Sequence, residues 1–132
     1  MKNILILEDD LERMKSFENN LSGHKVVHVE TANEAVALLD VYDWDCIFLD
    51  HDLGGETMVD SFTVKNTGYA VAAWLEKHPD RRPSVVIIHS FNPIGSRRMQ
   101  QALPEAVQLP GAWNFTLEQI EEGARVHVLE IN

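Results

Sequence analysis

The chain of 132 residues carries one cysteine, Cys46, so an internal disulfide is excluded. Cys46 lies inside an apolar run, which points to a buried, inert thiol and a cytoplasmic protein. No apolar stretch approaches the ~20 residues that cross a bilayer, so no membrane association is expected. Met1-Lys2-Asn3 runs straight into a strand pattern, without the layout of a signal peptide. Basic residues are scarce: 11 Lys and Arg stand against 21 Asp and Glu, a net charge of −10. Such a chain repels a nucleic-acid backbone, which argues against binding along an extended duplex or single strand. A small phosphate held through a metal or local arginines remains compatible with that charge. Internal repeats, linkers and low-complexity segments are also lacking, and the length suits a single domain over residues 1–132.

What the chain does have is a repeated event. Cys46-Ile47-Phe48-Leu49 is apolar on both faces, as a buried parallel strand is, and it breaks into Asp50-His51-Asp52. Ile4-Leu5-Ile6-Leu7 breaks into Glu8-Asp9-Asp10, and Val85-Val86-Ile87-Ile88 into His89-Ser90-Phe91-Asn92. Open α/β sheets bind ligands just past the carboxyl ends of their strands, so these three ends predict a site. Clustered carboxylates repel one another, and a bound divalent cation relieves that repulsion.

Strand and helix patterns alternate along the chain. Strands are predicted at Asn3–Leu7, 25–30, 45–49 and 84–88, with a weak fifth at 105–109 and one more short strand at 125–131. The first helix places Leu11, Met14, Phe17 and Leu21 on one side and closes near Gly23. Thr31-Ala32-Asn33-Glu34 reads as a capping box opening a helix to about Val41. Residues 54–66 show no period and read as a long loop covering the site. A helix over Gly68–Lys77 turns Val71, Trp74 and Leu75 inward. Asn92-Pro93 marks an N-cap and first helical position, with the helix running to about Leu103. Pro110-Gly111 turns the chain, and Thr116-Leu117-Glu118-Gln119 caps a short helix ending at Gly123. This alternation predicts a parallel sheet covered by helices on both faces.

Ile4-Leu5-Ile6-Leu7-Glu8-Asp9-Asp10 resembles the opening of response-regulator receiver domains. Asp45-Cys46-Ile47-Phe48-Leu49-Asp50 resembles their phosphoacceptor strand, and Gly68-Tyr69 the start of the helix that follows. The resemblance runs in order to about Leu103 and implies a flavodoxin-like α/β sheet with strand order 2-1-3-4-5. It implies Mg²⁺ on Glu8 and Asp9, phosphorylation on Asp50, and a backbone carbonyl of Asp52 on the metal. The chain departs at two places. Receivers end the fourth strand in Thr or Ser, where His89-Ser90 stands here. They end the fifth in lysine, where Gln108-Leu109-Pro110 stands, and Lys65 is the nearest spare. Leu49-Asp50-His51-Asp52-Leu53-Gly54-Gly55 together with His89-Ser90-Phe91-Asn92-Pro93 resembles a narrower group, the cyclic-phosphate processing receiver-like domains. That resemblance implies action on cyclic phosphates such as the 2′,3′-cyclic ends of RNA.

In such a sheet the first, third and fourth strands are neighbours, so Asp9, Asp50, His51 and His89 share one crevice. Opening a cyclic phosphodiester needs a base, an acid and positive charge on the phosphoryl oxygens. Asp50, His51, His89 and Asp52 are the expected catalytic set, with two histidines titrating near neutrality. Glu8, Asp9, Asp50 and Asp52 are the expected metal set. Mg²⁺ is expected first, with Mn²⁺, Zn²⁺ or Fe²⁺ suited to the histidines. Ser90, Asn92, Arg97 and Arg98 are the expected phosphate contacts. Quieter roles stand beside these: His51 orienting a carboxylate, Ser90 only hydrogen-bonding, Asn92 capping its helix, Arg97 and Arg98 solvated. His24, His28, His78 and His127 read as surface residues, and Trp44, Trp74 and Trp113 as packing. The expected function is hydrolysis of a cyclic phosphate of a small ester or RNA terminus. The alternatives are a receiver phosphorylated on Asp50 and a non-catalytic module that binds a protein partner; homodimer formation is a further expectation.

Overall fold

The computed structural model describes residues 1–53 and 67–131. Five parallel strands are interleaved with five helices: β1 (Asn3–Leu7), α1 (Leu11–Asn20), β2 (Lys25–Val29), α2 (Ala32–Val41), β3 (Cys46–Leu49), α3 (Gly68–Lys77), β4 (Val85–Ile88), α4 (Pro93–Ala102), β5 (Val107–Gln108) and α5 (Leu117–Ile131). The strand order is β2-β1-β3-β4-β5, the flavodoxin-like order expected. Predicted residues 54–66, and the covering loop expected there, lie outside the described residues.

The central strands are apolar over Ile4–Leu7, Cys46–Leu49 and Val85–Ile88 because both faces of the sheet are covered there. Successive side chains point to opposite faces. Leu5, Leu7, Ile47, Leu49 and Ile88 therefore pack with Ala35, Leu39, Val71, Leu75 and Met99 of α2, α3 and α4. Ile4, Ile6, Cys46, Phe48 and Ile87 pack with Met14, Phe17, Leu21, Leu117 and Ile120 on the side of α1 and α5. Cys46 is buried in that second layer, and burial pushes its thiol well above the ordinary range, as an inert cysteine requires.

The capping signals are realised. Thr31 Oγ1 accepts from the Glu34 amide at 3.2 Å and donates to Glu34 Oε1 at 2.8 Å. Asn92 Oδ1 accepts from the Gly95 amide at 3.0 Å, ahead of Pro93 at the first helical position. Asp10 Oδ1 accepts from the amides of Glu12 and Arg13, which starts α1 directly after the acidic end of β1.

Two expectations fail. Residues 125–131 form no strand: α5 continues through Gly123 to Ile131. Gly123 does not hold the left-handed conformation that ends a helix; among the described residues only Gly23 and Gly111 have positive φ. A helical glycine costs about 1 kcal/mol without breaking the helix. The outer edge of the sheet is the two-residue β5, a poor template for another strand, so the segment satisfies its backbone locally. Leu11 is the second correction: it is 64% exposed, because the first turn of α1 lies beyond the sheet and only Met14, Phe17 and Leu21 reach the core. Trp74 is half-buried and stacks on His78, with ring centroids 4.1 Å apart. No helix among the described residues is long and apolar enough to cross a membrane.

Candidate functional site

Register builds the site. Leu7 of β1 pairs with Leu49 of β3, and Leu49 pairs with Ile88 of β4. The next residue on each strand is therefore Glu8, Asp50 and His89, one row just past the sheet. The ladder continues by one step to hold them: the Asp50 amide donates to the Leu7 carbonyl at 3.2 Å, and the His89 amide to the Leu49 carbonyl at 3.1 Å. All three side chains are buried. One ligand atom from each lies within 4.8 Å of the others. Two carboxylates and an imidazole at this spacing suit a divalent cation. Asp9, expected in this group, is not one of the three; its amide instead donates to Glu8 Oε2 at 3.0 Å, as the Asp10 amide does at 3.1 Å.

The charges within the row are unequal. Burial alone would raise Glu8, but the hydrogen bond and charge of His89, the Asp10 amide and Arg13 outweigh it and bring Glu8 down to about 2. Burial, then the neighbouring Glu8 carboxylate, push Asp50 up to about 8, with Arg13 and the His51 amide pulling only partly the other way. Full burial lowers His89, against the opposing pull of the Glu8 hydrogen bond and charge. His89 Nε2 donates to Glu8 Oε1 at 3.0 Å, and its Nδ1 is buried without a hydrogen-bond partner among the described residues. Phe17 and Trp113 flank its ring at 5.2 and 6.0 Å between centroids.

A second group adjoins the first through the Asp50–His51 peptide. His51 is buried, and its Nδ1 lies 2.8 Å from Asp52 Oδ1. Asn92 Nδ2 donates to the same oxygen at 3.1 Å. Asp52 thus holds both His51 and the start of α4. The His51 ring lies so close to α4 that a Cβ on Gly95 would stand 2.4 Å from it. Ser90 is buried and its Oγ accepts from the Asn92 amide at 3.0 Å, a structural use of the hydroxyl.

Of the expected arginines, Arg98 sits 4.7 Å over the Tyr69 ring and Arg97 is exposed. The cation at the site is Arg13, which sequence reasoning missed. Its Nη1 lies 3.6 Å from both Glu8 Oε1 and Asp50 Oδ2. The available signal was its place in the first turn of a helix opening directly after the acidic strand end. His28 was also missed: it is half-buried, and its Nε2 lies 2.6 Å from the Glu8 carbonyl oxygen. The end of β5 holds Gln108-Leu109-Pro110, with no lysine.

Strand order, helical layers and an acidic pocket past β1 and β3 define a receiver-type domain. Residues 4–105 match the family described as Cyclic-phosphate processing Receiver domain, and the chain belongs to that family. The fold is that of a CheY-like response regulator receiver domain protein from Methanospirillum hungatei JF-1 (TM-score 0.67, 21% identity, 98% of each chain covered). Phosphorylated cyanobacterial phytochrome response regulator RcpA is similar too, at TM-score 0.66 and 19% identity over 96% of this chain and 88% of that one. So is the Mn²⁺-bound form of response regulator Rcp1, at TM-score 0.63 and 19% identity over 96% and 91%. No curated protein matches the sequence.

Proposed function

We propose that this domain hydrolyses a cyclic phosphate, on a nucleotide or an RNA end, with a divalent cation held by Glu8, Asp50 and His89. The observation that carries the reading is the convergence of those three buried side chains at one end of the sheet, in a chain of the cyclic-phosphate processing receiver family. When bound, the ion places positive charge on phosphoryl oxygens and polarises an attacking water. Mg²⁺ is the first ion to test, with Mn²⁺ and Zn²⁺ next because one donor is an imidazole.

The remaining work falls to the chain. With Nδ1 turned to Asp52, His51 has Nε2 left to take a proton from the attacking water and to return it to the alkoxide released as the P–O bond of the ring breaks. Asp52 and Asn92 fix that ring. His89 anchors Glu8 through the hydrogen bond from its Nε2. The single buried cysteine suits a cytoplasmic setting.

The test is turnover of 2′,3′-cyclic nucleotides in Mg²⁺ or Mn²⁺. Activity that is lost in Asp50→Ala and His89→Ala supports the reading; no turnover in any divalent cation overturns it. One observation favours a second reading, phosphoacceptance on Asp50: this aspartate directly follows β3 in a fold shared with a phosphorylated regulator. That reading expects alkali-labile, acid-stable labelling from acetyl phosphate, and the missing β5 lysine weighs against it.

A further inference from the structure

We propose that Arg13 is the residue that grips the anionic phosphoryl group, and that it does so once a divalent cation has replaced it as the counter-ion of Glu8 and Asp50. The proposal rests on the reading of the pocket as a site for a cation and a phosphate ester.

The geometry points to a loosely tethered guanidinium. Its Nη1 stands 3.6 Å from each carboxylate, beyond the ~2.7–2.9 Å of a charge-assisted hydrogen bond. Its Nε is 3.9 Å from Asp10 Oδ2, longer still. What positions it is aromatic. The guanidinium carbon lies 4.9 Å from the Trp113 ring centroid and 5.8 Å from that of Phe91, and the two rings meet edge to face at 5.5 Å. This corner holds the guanidinium plane without using its N–H donors. The side chain is 32% exposed, so those donors are open to a ligand.

Charge then dictates the order of events. With the ion in place Glu8 and Asp50 are both carboxylates, and the one divalent cation cancels their two negative charges. Arg13 is left with its own positive charge, already poised beside the ion on the aromatic corner. A planar fork of N–H groups matches two phosphoryl oxygens at once. Arg98 is engaged with Tyr69, and Arg81 donates to the carbonyls of Leu39 and Tyr42. Among the described residues, Arg13 is the arginine whose ion pairs reach Glu8 and Asp50.

Calorimetric titration of the full chain with Mn²⁺, then with inorganic phosphate and with adenosine 2′,3′-cyclic phosphate at saturating Mn²⁺, tests this in wild type, Arg13→Gln and Arg13→Lys. Expected are phosphate affinity in the wild type that rises with Mn²⁺, and Mn²⁺ affinity in Arg13→Gln equal to or above wild type. Phosphate affinity should fall at least about tenfold in Arg13→Gln and less in Arg13→Lys. Unchanged phosphate affinity in Arg13→Gln, with Mn²⁺ still bound, overturns the role of Arg13 and leaves the pocket reading intact. Wild-type protein that binds Mn²⁺ but neither phosphate probe also overturns it. Wild-type protein that binds no Mn²⁺ overturns both together.

Discussion

Glu8 and His89 lie 81 positions apart in the chain and meet at 3.0 Å, with neither side chain exposed to solvent. The contact ties the first strand to the fourth across the central third. His89→Leu leaves a buried carboxylate with one oxygen short of its donor, and a hydrogen bond to a charged group contributes about 1.5–3 kcal/mol. Chemical denaturation should show a loss of that size. In Glu8→Gln the amide still bonds to His89, so His89→Leu in that background should cost less, and a double-mutant cycle measures the coupling.

Asp50 gives the cation-free protein a distinctive pH dependence. Its folded value is about 8 against 3.8 ordinarily, so the group contributes stability fully below about pH 4 and loses it as pH rises through 8. Asp50→Asn removes that loss. In EDTA at pH 9 the variant should melt above wild type by roughly 3–6 °C, a difference of at least about 1 kcal/mol. Added Mg²⁺ or Mn²⁺ should raise the wild-type midpoint and leave Asp50→Asn unmoved, because only a ligand that binds the folded state shifts it. Scanning calorimetry across pH 4–9, with and without the ions, checks both.

Gly95→Ala places a methyl 2.4 Å from the His51 ring, which must move. Overpacking of this kind costs about 1–3 kcal/mol. The more telling readout is the His51 imidazole resonance, which should shift along with any turnover while the fold persists. At Gly68 the added carbon would meet the Asp50 carbonyl oxygen at 1.9 Å, a backbone clash, so Gly68→Ala should be the more damaging of the two.

Gly123→Ala should do the reverse. A Cβ there meets nothing within 4 Å, and the residue is interior to α5. The substitution should stabilise by about 0.5–1 kcal/mol and raise the thermal midpoint. A segment that turned at Gly123 would not respond in this way.

The parts of this molecule legible in the sequence are those written in local chemistry. Unbroken apolar runs marked three central strands, and Thr31, Asn92 and Thr116 stood where helices begin. The polar ends of three strands pointed to one pocket because parallel pairing aligns strand ends. What escaped depended on longer-range facts. Arg13 looked like an ordinary helical surface residue; its reach to Asp50 and its seat on Trp113, a hundred positions on, make it part of the pocket. His89 was legible as the polar end of β4, but not the closing of the Phe17 and Trp113 rings around it. The Arg125–Ile131 pattern fitted a strand, but α5 runs on through Gly123 and carries those residues as helix.

The row of Glu8, Asp50 and His89 exists because Leu7, Leu49 and Ile88 stand side by side. Slide any one strand by a single residue and its member of the trio turns toward the opposite helical layer. Assembly of the pocket is therefore a proofreading event for the sheet: an ion that needs all three groups can recognise only chains whose β1, β3 and β4 have docked in the right frame.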